Sequence, residues 1–315
     1  MIETFKKEVK QGLDNTPKTL PSKYFYNKIG DALFVEIMNL PEYYLTRSEL
    51  DIFQNKTQDL ISALQLKSDS YFELIELGAG DGLKTKKLLS ALDNQQYKFD
   101  YLPIDISANA LNLLKEDLSE VLPNVSVKTQ AGDYFEVLAS LKESNKPKVI
   151  LFLGSNIGNM TDERAAKFIY NLGANLKPGD KLLLGVDLIK SEDIVLPAYN
   201  DNKGITAKFN LNLLHRINNE LGGDFNLENF KHQPEYNEEE GIAKSFIVSA
   251  EQQTVNIKSI GASYHFEAGE KIHTEISRKY NDALIEQIIA ETDFKLDTKI
   301  MDSKAYFADY ILTRN

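Results

Sequence analysis

The chain has 315 residues, enough to bury one large core or two smaller ones, and its 42% hydrophobic and 26% charged content is that of a globular protein. A net charge of −11 argues against a nucleic acid partner, which needs a basic surface, and the absence of cysteine excludes disulfides and thiolate-bound metals. No apolar run reaches the length of a membrane span and the first fifteen residues lack the apolar centre of a secretion signal, so a cytoplasmic protein with no membrane partner is expected.

Residues 4–14 have amphipathic spacing and predict a short helix, stopped by Pro17 and Pro21. A second helix is expected over 31–38, ending before Pro41. Thr46 followed by Glu49 has the form of a capping box, which predicts a helix beginning after Thr46 with Leu50, Ile52, Phe53, Leu60, Ile61 and Leu64 on its apolar face. From Tyr71 the chain alternates. Strands are expected at 71–77, 99–104, 125–129, 149–153 and 181–186, and helices at 84–92, 108–121, 135–141, 161–176 and near Ser191. Repeated strand–helix units predict a parallel sheet with helices on both faces.

The pattern changes beyond residue 200. A helix over 209–221 precedes strands at 243–250, 254–260 and 262–266, read as an antiparallel meander, while Glu238, Glu239 and Glu240 read as a solvated loop. The end of the chain reads as a helix over 282–291 and a hairpin over 295–301 and 306–313 that can return to the main sheet. The expected organisation is a doubly wound α/β domain over 47–189 plus 280–315, and a smaller α+β lobe over 8–46 plus 190–279. A cleft between two such lobes is a common place for a small-molecule pocket.

The first strand of the alternating region ends at Glu76 and Leu77 and opens into Gly78, Gly80 and Gly82. Glycine admits positive φ and close ligand approach, and the next helix begins with unpaired N–H donors. The spacing is G-x-G-x-G rather than the G-x-G-x-x-G of dinucleotide binding, which speaks against a dehydrogenase. Asp105, at the tip of the second strand, can accept hydrogen bonds from both ribose hydroxyls of an adenosine, or serve only as a cap; Ser107 is the expected cap of the following helix. Asp133 can bond an adenine amino group with the ring of Tyr134 beside it, although Gly-Asp is otherwise a simple turn pair. The fourth strand runs into Gly154, Asn156, Gly158 and Asn159, whose amides suit a carboxylate or an amine. If residues 274–277 are extended, Glu275 and Ser277 share a side of the strand, where an acceptor and a hydroxyl can read two imidazole nitrogens; a solvated face is the plain alternative. The four histidines have no metal-ligand spacing and read as surface or hydrogen-bonded residues, so no metal is expected.

Together these segments resemble the histidine-specific, S-adenosylmethionine-dependent methyltransferases of ergothioneine biosynthesis, of dimethylhistidine N-methyltransferase type. The resemblance runs nearly end to end, through LPSKYFYN at 20–27, LPEYYLTRSE at 40–49, ELGAGDGLKT at 76–85, YLPIDIS at 101–107, FLGSNIGN at 152–159, AYND, GITAKFNLNLL and IHTEISRKY at 272–280. The pairing of LPEYY-x-TR with FLGS-x-IGN is far more specific than the glycine loop.

The resemblance implies a class I methyltransferase fold, a Rossmann-like doubly wound sheet with a smaller substrate lobe. It implies S-adenosyl-L-methionine as cofactor, held by Gly78, Gly80, Lys84, Asp105, Asp133 and Tyr134. Free histidine would be the substrate, with Tyr43, Asn159 and Tyr199 on its carboxylate and amine and Glu275 and Ser277 on its ring. Tyr26 would lie near the amino group being methylated, making Tyr26 and Tyr199 the candidate catalytic residues. Ser245 stands where the resemblance would place a larger apolar residue, a departure that bears on ring recognition. The activity implied is three successive transfers to the α-amino nitrogen, giving trimethylhistidine, by a monomeric protein. The alternatives are the same fold acting on another amino acid or on a ring nitrogen of histidine, and a non-catalytic cofactor-binding regulatory protein.

Overall fold

The computed structural model describes residues 2–142 and 144–315. The chain opens with helix α1 (Ile2–Asp14), a 3-10 turn at Ser22–Phe25 and α2 (Lys28–Met38). Next come α3 (Leu45–Asn55), α4 (Thr57–Ala63), β1 (Phe72–Leu77), α5 (Thr85–Asn94), β2 (Phe99–Asp105), α6 (Ala108–Val121), β3 (Ser126–Val127), β4 (Gln130–Ala131), α7 (Tyr134–Leu141), β5 (Lys148–Phe152), α8 (Asp162–Gly173) and β6 (Lys181–Asp187). Then follow α9 (Glu192–Tyr199), α10 (Ile205–Leu221), β7 (Phe230–Asn237), β8 (Ile242–Ser249), β9 (Gln253–Ile257), β10 (Ala262–Phe266) and β11 (Lys271–Arg278). The chain closes with α11 (Asp282–Ile289), β12 (Phe294–Met301) and β13 (Phe307–Arg314). Two compact units result, one of Met1–Tyr44 with Lys190–Ser277 and the other of Leu45–Ile189 with Arg278–Asn315.

The second unit is built on an eight-stranded sheet in the order β12-β13-β6-β5-β1-β2-β3, with β4 also on β2. The strands from β6 to β3 run parallel, and β13 and β12 complete the sheet antiparallel. All six positions of β1 are buried, as in a strand covered on both faces. Alternate side chains serve two cores. Ile75, Ile150, Phe152 and Leu184 pack with Phe168 and Ile169 of α8 and Ile285 and Ile288 of α11. Leu74, Val149, Leu151 and Leu183 pack with Ile52 of α3, Leu60 of α4, Leu88 of α5 and Leu118 of α6. Each buried side chain of this size contributes about 2 kcal/mol of transfer free energy. The strand order reverses between β1 and β5, and such a switch point opens a crevice outside the carboxyl ends of the two strands.

The first unit packs Phe5, Val9 and Leu13 of α1 and Phe209, Leu213 and Ile217 of α10 against Phe230, Ile247, Val255, Phe266 and Ile272 of its strands. Its strands form a three-stranded sheet in the order β11-β8-β7 and a separate hairpin of β9 and β10. The expected meander is therefore corrected. The 243–250 segment pairs antiparallel with β7, a strand the sequence reading does not contain. The residues of β7, Phe-Lys-His-Gln-Pro-Glu-Tyr-Asn, disguise it, because Pro and charge are tolerated on an end strand but lower its propensity.

Three local expectations also change. Thr46 is not an N-cap, since α3 already begins at Leu45, and Glu49 is buried and engaged elsewhere. The single helix expected after it breaks at Lys56, where the Thr57 hydroxyl turns back to the Phe53 carbonyl. Helix α2 begins at Lys28 because Asn27 Oδ1 accepts from the N–H of Ile29 at 3.1 Å and Gly30 at 2.9 Å.

Candidate active site

The glycine loop leaves β1 with Gly78 at φ +73° and Gly80 at φ +55°. Both values favour glycine. A Cβ at Gly78 would lie 2.8 Å from the Tyr134 hydroxyl, whereas one at Gly80 would meet no atom within 4 Å. The loop thus presents bare backbone to open space at the mouth of the sheet. Such a cradle fits a nucleoside held through backbone contacts. At Gly82 a Cβ would lie 2.6 Å from Leu114, so the third glycine serves packing against α6.

Asp105 Oδ1 accepts from the Ser107 N–H at 2.9 Å, and Ser107 caps α6 as expected, accepting from the Ala110 N–H at 3.2 Å. Asp133 Oδ1 caps α7, accepting from Phe135 at 2.9 Å and Glu136 at 3.3 Å. Each acid therefore has a backbone duty carried by Oδ1. Burial raises the hydroxyl pKa of Tyr134, and the charges of Asp105 and Asp133 add to that shift. The structure thus brings Gly78, Asp105, Asp133 and Tyr134 together.

Beneath the loop lies a buried polar layer. Glu76 accepts from Thr85 at 2.8 Å and from the Tyr101 hydroxyl at 2.5 Å, and desolvation pushes its pKa up to about 7 against the opposing pull of those bonds. Lys84 does not stand alone. It forms an ion pair with Glu49, which also accepts from the Gly154 N–H through both oxygens, at 2.9 and 3.0 Å. Glu49 was legible only as a cap, and Asp309 was not singled out. The signal for Asp309 was an acid inside the apolar run of β13, where every residue from Phe307 to Leu312 is buried.

After β5 the chain turns through Ser155 at φ 56°, whose hydroxyl accepts from the Asp187 N–H at 3.0 Å, and enters a 3-10 turn at Asn156–Asn159. Gly158 is pressed onto the segment that begins at Arg278, the last residue of β11, since a Cβ there would sit 2.7 Å from the Arg278 carbonyl oxygen. That segment is anchored by a fully buried ion pair, Lys279 to Asp187 at 2.8 Å. The turn leaves Asn159 exposed.

The expected amino-acid-binding residues other than Asn159 belong to the first unit. The Tyr199 hydroxyl donates to Ser277 Oγ at 2.7 Å, and both side chains are buried. Residues 271–278 form β11, so Glu275 and Ser277 lie on an extended strand two residues apart. Ser245 Oγ, on β8, donates to Glu275 Oε2 at 3.3 Å. Thr274 points to the opposite side and donates to the Ser245 carbonyl at 3.0 Å, locking the two strands in register. Tyr26 has its ring edge-on to Phe34 at 5.6 Å and to Phe209 at 5.5 Å, and its carbonyl accepts from Arg216 at 2.9 Å. Desolvation and then the Glu275 charge raise its hydroxyl pKa above the ordinary tyrosine range. Tyr43 is half-buried against Phe34, while Tyr44 is buried with its hydroxyl accepting from Lys190 at 3.0 Å. Asp201, in the AYND segment, accepts from Ile205 at 2.9 Å and Thr206 at 2.7 Å and so caps α10 directly behind Tyr199 in sequence.

One histidine has a role the sequence did not reveal. His232, on β7, bonds the Tyr199 carbonyl through Nε2 at 2.9 Å, and its buried Nδ1 meets no partner. Burial lowers its pKa, so the ring is neutral, with Nε2–H donating. Among the described residues, no cluster of His, Cys, Asp and Glu is arranged to hold a metal ion, and no helix is long and apolar enough to cross a membrane.

Residues 5–314 match the profile of a family described as histidine-specific, S-adenosylmethionine-dependent methyltransferases. The chain is 35% identical over 289 residues to histidine N-alpha-methyltransferase of Mycolicibacterium smegmatis, covering 92% of this chain and 87% of that one. It is 32% identical over 302 residues to ergothioneine biosynthesis protein 1 of Schizosaccharomyces pombe, covering 94% of this chain and 39% of the longer relative. The crystal structure of the CurJ carbon methyltransferase superposes with a TM-score of 0.50 at 13% identity, covering 99% of this chain and 66% of that one, a likeness of fold alone.

Proposed function

The chain belongs to the family of histidine-specific, S-adenosylmethionine-dependent methyltransferases, and from that premise we propose that it methylates the α-amino nitrogen of free L-histidine in successive steps to trimethylhistidine. The observation that supports the substrate reading is the hydrogen bond from Tyr199 to Ser277 on the strand that also carries Glu275, a hydroxyl and a carboxylate that would receive an imidazole. The ring N–H would donate to Glu275 and the other ring nitrogen would accept from Ser277. Tyr43, Asn159 and Tyr199 would take the carboxylate and the amine.

S-adenosylmethionine supplies a methyl group on a sulfonium that needs no further activation. Gly78, Gly80, Lys84, Asp105, Asp133 and Tyr134 would hold it, the acids taking the adenosine and Tyr134 lying beside its ring. What the protein adds is alignment and the removal of solvent reorganisation. The amine must give up a proton before its lone pair is free. Tyr26 does not supply a phenolate for this, because a tyrosine hydroxyl is neutral near pH 7 and the Glu275 charge further disfavours its ionisation. It offers an oxygen lone pair to an amine N–H and so aims the nitrogen, while the departing proton passes to water. Tyrosine faces stabilise the cationic product as methyl groups accumulate.

The product fits the process named for the S. pombe relative, ergothioneine biosynthesis. Incubation of the purified protein with histidine and cofactor is expected to give a mono-, di- and trimethylated ladder by mass spectrometry, with the methyl groups on the α-nitrogen. No turnover of histidine rejects the substrate. A screen of the twenty amino acids decides the alternative acceptor, which the small Ser245 beside Glu275 keeps in view.

A further inference from the structure

Glu49 belongs to the second unit. It is fully buried on α3, yet it is not used by helix α3 itself. Its two oxygens receive the N–H of Gly154, in the loop after β5 that carries Asn159, and the ammonium of Lys84, at the end of the glycine loop after β1. These are the two loops that flank the switch point of the sheet. A single side chain from a third element therefore ties both together.

The surroundings are built for that side chain. Gly185 on β6 lies directly below it, since a Cβ there would fall 2.2 Å from Glu49 Oε1 and 2.9 Å from Asp309 Oδ1. Any other residue at 185 would displace the carboxylate. Gly185 is paired in register with Asp309 of β13. The two carboxyl groups thus lie within about 5 Å of one another, where like charges do not both ionise freely. Asp309 is fully buried with neither oxygen hydrogen-bonded, and burial and then the Glu49 charge drive its pKa well above the carboxylate range. With Asp309 protonated, Lys84 and Glu49 form the directly contacting ion pair. Glu76 is the other acid that acts on this pair. Burying such a pair is costly and adds little net stability, so stability alone is a poor reason for it.

We infer that Glu49 is a positioning residue of the cofactor site, whose carboxylate sets the Lys84 ammonium and the Gly154 N–H in the geometry in which the two loops receive the cofactor's amino-acid end. This rests on the cofactor assignment of Lys84. Lys84 is then not a free cation but one whose place is set by Glu49.

The test is calorimetry with S-adenosylhomocysteine on the full chain, using Glu49→Gln, Lys84→Met and the double variant, with histidine affinity measured beside it. Glutamine keeps the size and an oxygen for the Gly154 N–H but loses the charge that holds Lys84. Glu49→Gln is expected to raise the product's Kd by about tenfold or more while leaving the histidine Kd within about twofold, and the double variant is expected to be no weaker than the weaker single, as residues acting as a unit require. A merely structural role would move both affinities together. Glu49→Asp, which restores the charge on a shorter arm, is expected to recover part of the loss, and it decides the matter if Glu49→Gln does not fold. Wild-type affinity in Glu49→Gln, or fully additive single effects, overturns the inference. Wild-type protein that fails to bind S-adenosylhomocysteine overturns the cofactor assignment of Lys84, and this inference with it.

Discussion

Tyr199 donates its hydroxyl hydrogen to Ser277 Oγ over 2.7 Å, joining the end of α9 to β11 through two buried side chains. The bond makes Ser277 Oγ the acceptor and holds the phenol oxygen in a defined place against β11. Tyr199→Phe keeps the ring and loses the bond. A buried hydrogen bond of this kind is worth about 1 kcal/mol, so the histidine KM is expected to rise about fivefold to tenfold. Steady-state kinetics with cofactor saturating is the check, and an unchanged KM removes Tyr199 from substrate recognition.

Ser245 donates to Glu275 at 3.3 Å from the neighbouring strand. Ser245→Ala removes that donor without adding bulk. The carboxylate loses one of its contacts, and on the proposed reading, in which it would accept a ring N–H, histidine affinity is expected to fall about threefold to fivefold. The affinity for S-adenosylhomocysteine should stay as in the wild type. A change in cofactor affinity equal to that for histidine would place Ser245 outside the amino-acid site.

The neutral ring of His232 makes stability sensitive to acid. Its folded pKa is lowered from 6.5, chiefly by desolvation, with the Tyr199 carbonyl and Asp201 opposing. Below 6.5 the unfolded chain therefore takes up a proton that the folded one resists. Stability is fully present above 6.5 and is lost as pH falls through that value toward the folded pKa. His273 is shifted the same way, again chiefly by burial. Thermal melts from pH 7.5 to 5.5 should show the decline, and His232→Gln should make it shallower. An equally steep decline in the variant would show that His232 does not titrate with unfolding.

Asp309 acts with the opposite sign. Its folded pKa is raised well above 3.8, by burial first and then by the Glu49 charge. The folded chain keeps a proton the unfolded chain releases, so the contribution is fully present below 3.8 and is lost as pH rises. Asp309→Asn replaces the protonated acid by a group that never ionises. Its melting temperature relative to the wild type is expected to climb as pH rises from 4 to 8. A difference independent of pH would mean that Asp309 is ionised in the fold.

Most of the alternating strands and helices from Tyr71 to Val186 were legible because β1, β5 and β6 are buried along nearly their whole length and read as short apolar runs, a signal that needs no partner to interpret. The glycine loop, Asp105 and Asn159 were legible because they follow such runs. β7 was not, because its lysine, histidine, proline and glutamate say nothing of the hydrogen bonds that β8 supplies. Glu49 was misread for a related reason. A threonine and a glutamate three residues apart have the spacing of a cap, and only the position of Gly154, more than a hundred residues away in sequence, shows where that carboxylate goes.

By itself the sequence determined the parallel sheet, the glycine cradle and the family to which the chain belongs, since these depend on residue type and short-range spacing. Tertiary structure alone decided that Lys84 is paired, that Asp309 sits beside Glu49 over Gly185, and that His232 holds the backbone of Tyr199. A buried charge takes its meaning from whatever else is buried within a few ångströms of it, and that distance is set by the packing of elements far apart in the chain.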